Sequence, residues 1–176
     1  YQIRKALYER VSQAKNITLM TDVMVEDVNP SERSSQVLLS DNQKIETKLV
    51  IAADSRFSSI RRKVGIPSLM KDFSKVMIVT KMEHEYSHHN IALECFDYGQ
   101  TLALLPMVGN ASSIVLTVTT DKAQAMLDMP EVEFNAKITQ SFKSELGKMT
   151  QSGQRHSYPL VAVHAQTFIA NRFALI

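Results

Sequence analysis

Cysteine is almost missing from this chain of 176 residues, and several other signals are missing with it. The single Cys95 excludes an internal disulfide framework and any multi-cysteine metal site, and a reducing intracellular setting is the expectation that goes with it. No run of 18 apolar residues is present, so the sequence reads no spanning helix. The opening residues lack the pattern of a leader peptide. Charge of one sign is lacking as well: 20 basic against 18 acidic side chains leave a net +2, without the clustered basic face that a general grip on nucleic acid needs. Repeats and low-complexity segments are absent too. What is present is an ordinary globular composition, 44% hydrophobic, which is enough to build a core and excludes disorder.

The length fits one domain, or one and a part. Residues 1–15 place Ile3, Ala6, Leu7 and Val11 on one helical face, an amphipathic helix that Asn16 can stop. Segments 17–20 and 23–28 read as short strands and Asn29-Pro30-Ser31 as a turn. Segments 36–39 and 45–52 read as strands joined by Ser40-Asp41-Asn42-Gln43. Residues 58–64 read as a short helix closed by Gly65-Ile66-Pro67.

Beyond residue 70 the character changes. Segments 75–83, 91–96, 102–107 and 113–119 alternate apolar and polar residues, with turns at Asp97-Tyr98-Gly99 and Gly109-Asn110. That pattern predicts an antiparallel sheet with one buried face. Helices are expected over 121–129 and 132–146, the second with Val132, Phe134, Ile138, Phe142 and Leu146 at helical spacing. Residues 158–163 and 173–176 read as further strands. The chain opens at Tyr1 inside a helical pattern and closes within an apolar run, Arg172-Phe173-Ala174-Leu175-Ile176, so it is expected to be a piece of a larger protein.

The stretch with most bearing on chemistry is residues 49–62, LVIAADSRFSSIRR, where an apolar strand delivers Asp54 to small polar residues and then to paired arginines. Ligands of α/β sheets sit outside the carboxyl ends of the strands. A carboxylate there accepts hydrogen bonds from sugar or ribitol hydroxyls, and a following short helix offers free N–H groups to an anion. The alternative is that Asp54 only caps a helix or shapes a turn.

Residues 52–61 resemble the G-A-D-G-x-x-S-x-V-R motif of the flavin-dependent aromatic hydroxylases, the p-hydroxybenzoate hydroxylase fold. Asp54, Ser58, Ile60 and Arg61 fall in register, while Ala52 and Ser55 stand where the motif has glycine. Glycine tolerates backbone angles that serine does not, so the turn after Asp54 is where this sequence departs most. Residues 92–96 with 102–107 are similar to a strand pair of the ubiquinone-biosynthesis branch, which hydroxylates polyprenyl phenols. Residues 171–176 are similar to the strand entering the family's Gly-Asp-Ala motif, and the opening helix resembles the one after its first FAD-contacting loop. Neither Gly-Asp-Ala nor the G-x-G-x-x-G that receives the FAD pyrophosphate occurs in these 176 residues.

The resemblance implies the central piece of an FAD-dependent monooxygenase. The fold class it implies is α+β: part of a Rossmann-type FAD-binding unit over residues 1–70, an antiparallel-sheet substrate domain with helices packed on it over 71–163, and a return into the FAD-binding domain over 164–176. It implies FAD held with the help of Asp54, Ser55, Arg56, Ser58 and Arg61, with NAD(P)H as co-substrate. Oxygen would pass to an electron-rich phenol ring in a pocket walled by the sheet, for which Leu104 and Pro106 are the substrate candidates. The cofactor performs that chemistry, so no catalytic side chain is assigned, and the piece alone is expected to be inactive. Further implications are a cytoplasmic location, with peripheral association at the inner membrane, and a homo-oligomer or a ubiquinone-biosynthesis complex.

Other residues have competing readings. Glu83-His84-Glu85-Tyr86-Ser87-His88-His89 holds zinc-type residues without a known ligand spacing, and reads as a solvated hairpin loop. Cys95, within an apolar strand, reads as buried and inert. Arg61-Arg62-Lys63 reads as a contact for a phosphate of NAD(P)H or an anionic surface, or as a solvated helix face. Arg4 reads as a flavin contact or as surface, and Leu104 has a core reading beside the pocket one. The nine Met read as core fillers, or as the lining of a lipid-accepting pocket. Two further functions are consistent with the sequence: a non-enzymatic module that holds a hydrophobic ligand or a partner in its sheet groove, and a flavin oxidoreductase that does not hydroxylate.

Overall fold

The computed structural model describes residues 2–97 and 99–176; Tyr1, where the helical pattern opens, and Tyr98, in the turn expected at 97–99, lie outside the described residues. In chain order the elements are α1 (Gln2–Ser12), β1 (Val25–Pro30), β2 (Ser35–Leu39), β3 (Lys44–Thr47), β4 (Val50–Ala52), α2 (Ser59–Lys63), β5 (Ser68–His84) and β6 (Leu93–Asp97). They continue with β7 (Gln100–Pro106), β8 (Ala111–Thr119), α3 (Thr120–Asp128), α4 (Glu131–Ser141), β9 (Met149–Gln151), β10 (His156–Ala165), β11 (Ile169–Ala170) and β12 (Phe173–Leu175). The chain packs as two units, Tyr1–Leu69 with Val163–Ile176, and Met70–Ala162. The mixture of helices and largely antiparallel sheet is the α+β class that the resemblance implies.

The first unit holds a meander, β1-β2-β3, and a small sheet in the order β11-β12-β4, whose β12–β4 pair is parallel. Three local expectations fail here. Residues 17–20 form no strand, and Ile17, Leu19 and Met20 are exposed, so nothing on either face holds them extended. Asn29 and Pro30 belong to β1 and pair with Gln36 and Ser35, and the turn lies beyond them. Proline is tolerated there because β1 is an edge strand and Pro30 is its last residue. The expected strand 45–52 is two strands in two sheets. Ile45 and Thr47 are half-buried, as are Val50 and, more fully, Ala52, so the inward parity breaks between residues 47 and 50. The Thr47 hydroxyl donates to the Leu49 carbonyl at 3.1 Å across that bend.

In the second unit β5, β8, β7 and β6 form a sheet whose register puts Ile78, Leu116, Leu102 and Cys95 in one row and Thr80, Ile114, Leu104 and Leu93 in the next. These rows face the helices. Ala123 and Met126 of α3 and Phe134 and Ile138 of α4 join them in one buried cluster. Residues of the other parity, among them Met77, Val79, Ala103 and Val115, lie on the opposite face and are only half-buried. Helix α4 stops at Ser141, short of the expected residue 146, because Lys143 and Ser144 take left-handed backbone angles of 52° and 58°. Phe142 and Leu146 are buried all the same, carried inward by the loop rather than by the helix.

Arg155 locks this packing. Its Nη1 donates to the carbonyls of Met126, Leu127 and Met129, at 2.9, 3.0 and 2.6 Å, at the carboxyl end of α3. Its guanidinium lies 4.0 Å from the Phe134 ring centroid, and Nε donates to Gln151 Oε1 at 2.8 Å. Helix ends leave unsatisfied carbonyls, and a planar cation can answer several at once. On the flank, Asn135 and Thr139 of α4 accept the Gln151 and Met149 N–H groups, at 2.9 and 3.1 Å. Side chains one helical turn apart thus cover the outer edge of the short strand β9.

Candidate cofactor-binding site

Strand β4 brings the chain to Asp54 beside β12, with Val50, Ile51 and Ala52 opposite Phe173, Ala174 and Leu175. Ser55 has φ of 71°. Serine therefore keeps the left-handed turn that glycine enters freely, at a cost of about 1–2 kcal/mol.

The start of α2 is satisfied from within. Ser58 Oγ accepts the Arg61 N–H at 2.8 Å, and Asp54 Oδ2 accepts the Ile60 N–H at 3.1 Å. The N–H groups expected to be free for an anion are thus partly used: Ser58 is the cap, and Asp54 accepts one further N–H of the first turn. Partial burial pushes the Asp54 carboxyl up, but hydrogen bonds from the Ser58 hydroxyl and from N–H groups including that of Ile60 outweigh it, so its pKa falls below the ordinary value. The folded state then favours the carboxylate. That stabilisation is present above the unfolded pKa of about 3.9 and is lost as pH falls through the lower folded value. Asp54→Asn is expected to be less stable than the parent at about pH 6 and to converge with it as pH falls through the lowered folded value, in thermal unfolding followed from neutral to acid pH. A gap independent of pH would remove the electrostatic account.

Ser55, Arg56, Ser58 and Arg61 line one cleft of about 230 Å³, whose lining does not include Asp54, the residue before Ser55. The returning segment supplies the apolar wall, including Phe168, Leu175 and Ile176, which no local signal marks. Arg61 is buried: Nη1 donates to the Ile66 carbonyl at 2.6 Å, while Nε is buried without a partner. Arg56 lies over the Phe57 ring, 5.0 Å from its centroid. The cleft falls below the ~300–1,000 Å³ of ordinary ligand sites, so it can take only part of a dinucleotide. Arg62 is exposed, Lys63 Nζ donates to the Glu26 carbonyl, and Arg4 is exposed on α1.

In the second unit, Leu104 has no accessible surface and packs in the helix-covered core, and Pro106 has the same parity. The open face of the sheet carries their neighbours instead. Cys95 is free and half-buried, packed against the core. The histidine segment is solvated only in part: Glu83, Glu85, Tyr86, Ser87 and His89 are exposed, as a solvated loop would have them, but two of the histidines are not. His84 and His88 are buried, with ring centroids 5.4 Å apart. His84 binds the Tyr86 carbonyl and Ser112 Oγ, at 2.7 and 3.0 Å. His88 binds the Met107 carbonyl and the Asn90 N–H, both at 3.0 Å, which leaves no ring nitrogen of either residue to a metal. One partner of each, Ser112 and Met107, is distant in sequence. A separate cleft of about 780 Å³ lies on α4 and the loop before β9, with Tyr86, Lys148 and Met149 in its wall. Among the described residues no helix is long and apolar enough to cross a membrane.

Comparison with known proteins gives a consistent set of relatives. No family model matches the chain. It is 41% identical over 176 residues to the ubiquinone hydroxylase UbiM of Neisseria meningitidis, covering all of this chain and 38% of that protein. It is 32% identical over 174 residues to the ubiquinone hydroxylase UbiL of Rhodospirillum rubrum, covering 99% of this chain and 41% of that protein. Among solved structures it resembles PqsL of Pseudomonas aeruginosa, a probable FAD-dependent monooxygenase, with a TM-score of 0.80 and 16% identity over 99% of this chain and 50% of the other. The chain thus spans about two fifths of the length of the curated relatives it matches.

Proposed function

We propose that this chain belongs to the FAD-dependent aromatic hydroxylase family, on its ubiquinone-hydroxylase branch, and that the protein it is part of adds a hydroxyl group to an aromatic ring, with FAD, NAD(P)H and oxygen, the ring being a polyprenyl phenol. Within this chain the reading rests on one observation: Asp54 and a left-handed Ser55 at the carboxyl end of a parallel strand, beside a cleft lined by Arg56 and Arg61. Asp54, Ser55, Arg56, Ser58 and Arg61 are the residues that would hold part of FAD. The carboxylate accepts hydroxyls, the arginines face anionic oxygen, and the buried Arg61 Nε without a partner fits such an acceptor. Bound FAD, once reduced, supplies the oxygen-transferring power. The chain's second unit contributes the wall that orients the ring, and we assign that wall to the open face of the sheet, with Ala103, Val115 and Val79 in one row across it. Peripheral membrane association and a homo-oligomer or biosynthetic complex belong to the same proposal.

The 176 residues carry no G-x-G-x-x-G. This chain alone is expected to retain no stoichiometric FAD and no hydroxylase activity. In the longer protein, Asp54→Ala is expected to lower FAD affinity by about tenfold or more, in keeping with the loss of a charged hydrogen-bonding partner. Absorbance of purified protein at flavin wavelengths, with titration of FAD into stripped protein, checks both. Stoichiometric flavin on the chain alone would sink the first expectation, and unchanged affinity in Asp54→Ala the second. The 780 Å³ cleft favours a second reading, a module that binds a hydrophobic ligand without flavin. A longer protein that binds prenyl phenols and carries no flavin would support it.

A further inference from the structure

We propose that Glu94 positions the substrate on the open face of the sheet, by accepting a hydrogen bond from the hydroxyl of a phenol ring laid across Ala103 and Val115. The inference rests on the reading that this face orients the ring. Strand register puts Glu94 opposite Ala103, Ala103 opposite Val115, and Val115 opposite Val79, so one row crosses β6, β7, β8 and β5. Side chains directly opposite on one face stand about 5 Å apart at Cβ. Ala103, the smallest of the four, leaves a gap above the sheet. Glu94 stands at one side of that gap and Val115 at the other.

Charge on this face is sparse. In β6, β7 and β8, Glu94 is the one charged side chain of that parity among the described residues, and the others are apolar or carry a hydroxyl. In β5, Lys81 and Glu83 have the same parity but hold each other at 3.2 Å, and Lys75 lies further along, opposite Thr119. Glu94 is exposed, and no described residue bonds to its carboxylate. Beside it on the same face, Phe96 is 79% exposed, an aromatic ring left uncovered. A carboxylate accepts hydrogen bonds and donates none, so it selects a ligand through an O–H. An apolar floor, an aromatic side chain and a single acceptor match an electron-rich ring with a free hydroxyl and an apolar tail. They do not match a ring that carries its own carboxylate, which Glu94 would repel. A charge on an edge strand can also keep other chains off that edge, and the two roles have different consequences for binding.

Equilibrium binding of ortho-prenylphenol and of its methyl ether tests it, in the longer protein loaded with FAD, as the parent, Glu94→Gln and Glu94→Ala. The ether keeps the ring and the tail and puts a methyl group where the donor was. The parent is expected to prefer the phenol by about tenfold or more, in keeping with a hydrogen bond to a charged group. Glu94→Ala is expected to bring the two probes within about twofold of each other and to leave affinity for the ether unchanged. Glu94→Gln, which keeps an acceptor oxygen without the charge, is expected to fall between. No preference in the parent would overturn the proposal. So would a preference that survives in Glu94→Ala, or an equal loss of both probes. Because Glu94 is exposed, both variants are expected to fold as the parent does. Self-association of Glu94→Ala with its preference intact would make the residue a guard of the β6 edge instead. A preference lost in Glu94→Ala, in a protein that hydroxylates no phenol, would uphold this inference and sink the proposed function. Hydroxylation of the phenol with the preference intact in Glu94→Ala would do the reverse.

Discussion

Phe134→Ala is expected to lower the stability of the protein by about 3–5 kcal/mol, the usual loss when a large aromatic side chain leaves a packed core. Phe134 has no accessible surface and lies at the centre of the cluster that joins α3 and α4 to the sheet. It is also the platform for Arg155, whose guanidinium sits 4.0 Å from the ring centroid while Nη1 gathers three carbonyls at the end of α3. Removing the ring opens a cavity and loosens that clamp together. Arg155→Ala alone is expected to cost about 2–3 kcal/mol, because hydrogen bonds to a charged group are among the stronger ones. Arg155→Lys recovers little, since an ammonium neither stacks on the ring nor fans across three acceptors. Urea unfolding of the two single variants and the double variant closes the cycle. A coupling of about 0.5–2 kcal/mol is expected. Additive losses would show that Arg155 and Phe134 act independently. Against a total stability of about 5–15 kcal/mol, the double variant is expected to be largely unfolded at 37 °C.

Leu104→Ala and Ala103→Leu, one residue apart, are expected to act on different properties. Leu104 is fully buried beneath the helices, so its truncation should cost about 2–5 kcal/mol and leave substrate preference alone in the surviving folded protein. Ala103 lies on the open face of β7, opposite Val115 and Glu94. There the larger side chain lies off the helix-covered core and, on the wall proposed above, in the way of the substrate ring. Ala103→Leu is expected to shift stability by less than about 0.5 kcal/mol. In the longer protein it should lower kcat/KM for a bulky phenol by about tenfold or more, in line with the ~1–3 kcal/mol that a methylene-scale clash carries in a pocket. Unfolding curves and steady-state turnover of both variants decide it. Altered substrate preference in Leu104→Ala at unchanged stability would return the pocket to the face first suggested by the sequence.

The same two residues show where the sequence stops being informative. Alternation along 102–107 and 113–119 is a local property of a pleated strand, and it separates two faces correctly. Which face receives the helices depends on how α3 and α4 return across the sheet, and alternation does not contain that. Leu104 therefore became a pocket candidate although it belongs to the covered face. Residues 45–52 repeat the point. Their apolar content supports a strand, but β3 and β4 pair in different sheets because their partners, β2 and β12, lie far apart in the sequence.

By itself the sequence located the helices at 2–12 and 120–128, the strand pattern of the second unit over 75–83, 102–107 and 113–119, and the short helix after Asp54, because periodicity, capping and turn chemistry act over a few residues. It also carried the motif that ties Asp54 to a family. Tertiary structure alone decided that Ser55 can hold a left-handed turn, that Asp54 spends one oxygen on the start of α2, and that Phe168 and Ile176 wall the cleft beside Arg61. It alone decided that His84 and His88 are buried with every ring nitrogen engaged. The Phe168 and Ile176 wall and the Ser112 and Met107 partners of the histidines are residues that only folding brings near. Burial and hydrogen bonding are sums over spatial neighbours, and the neighbours that count here are set by the pairing of strands distant in the chain.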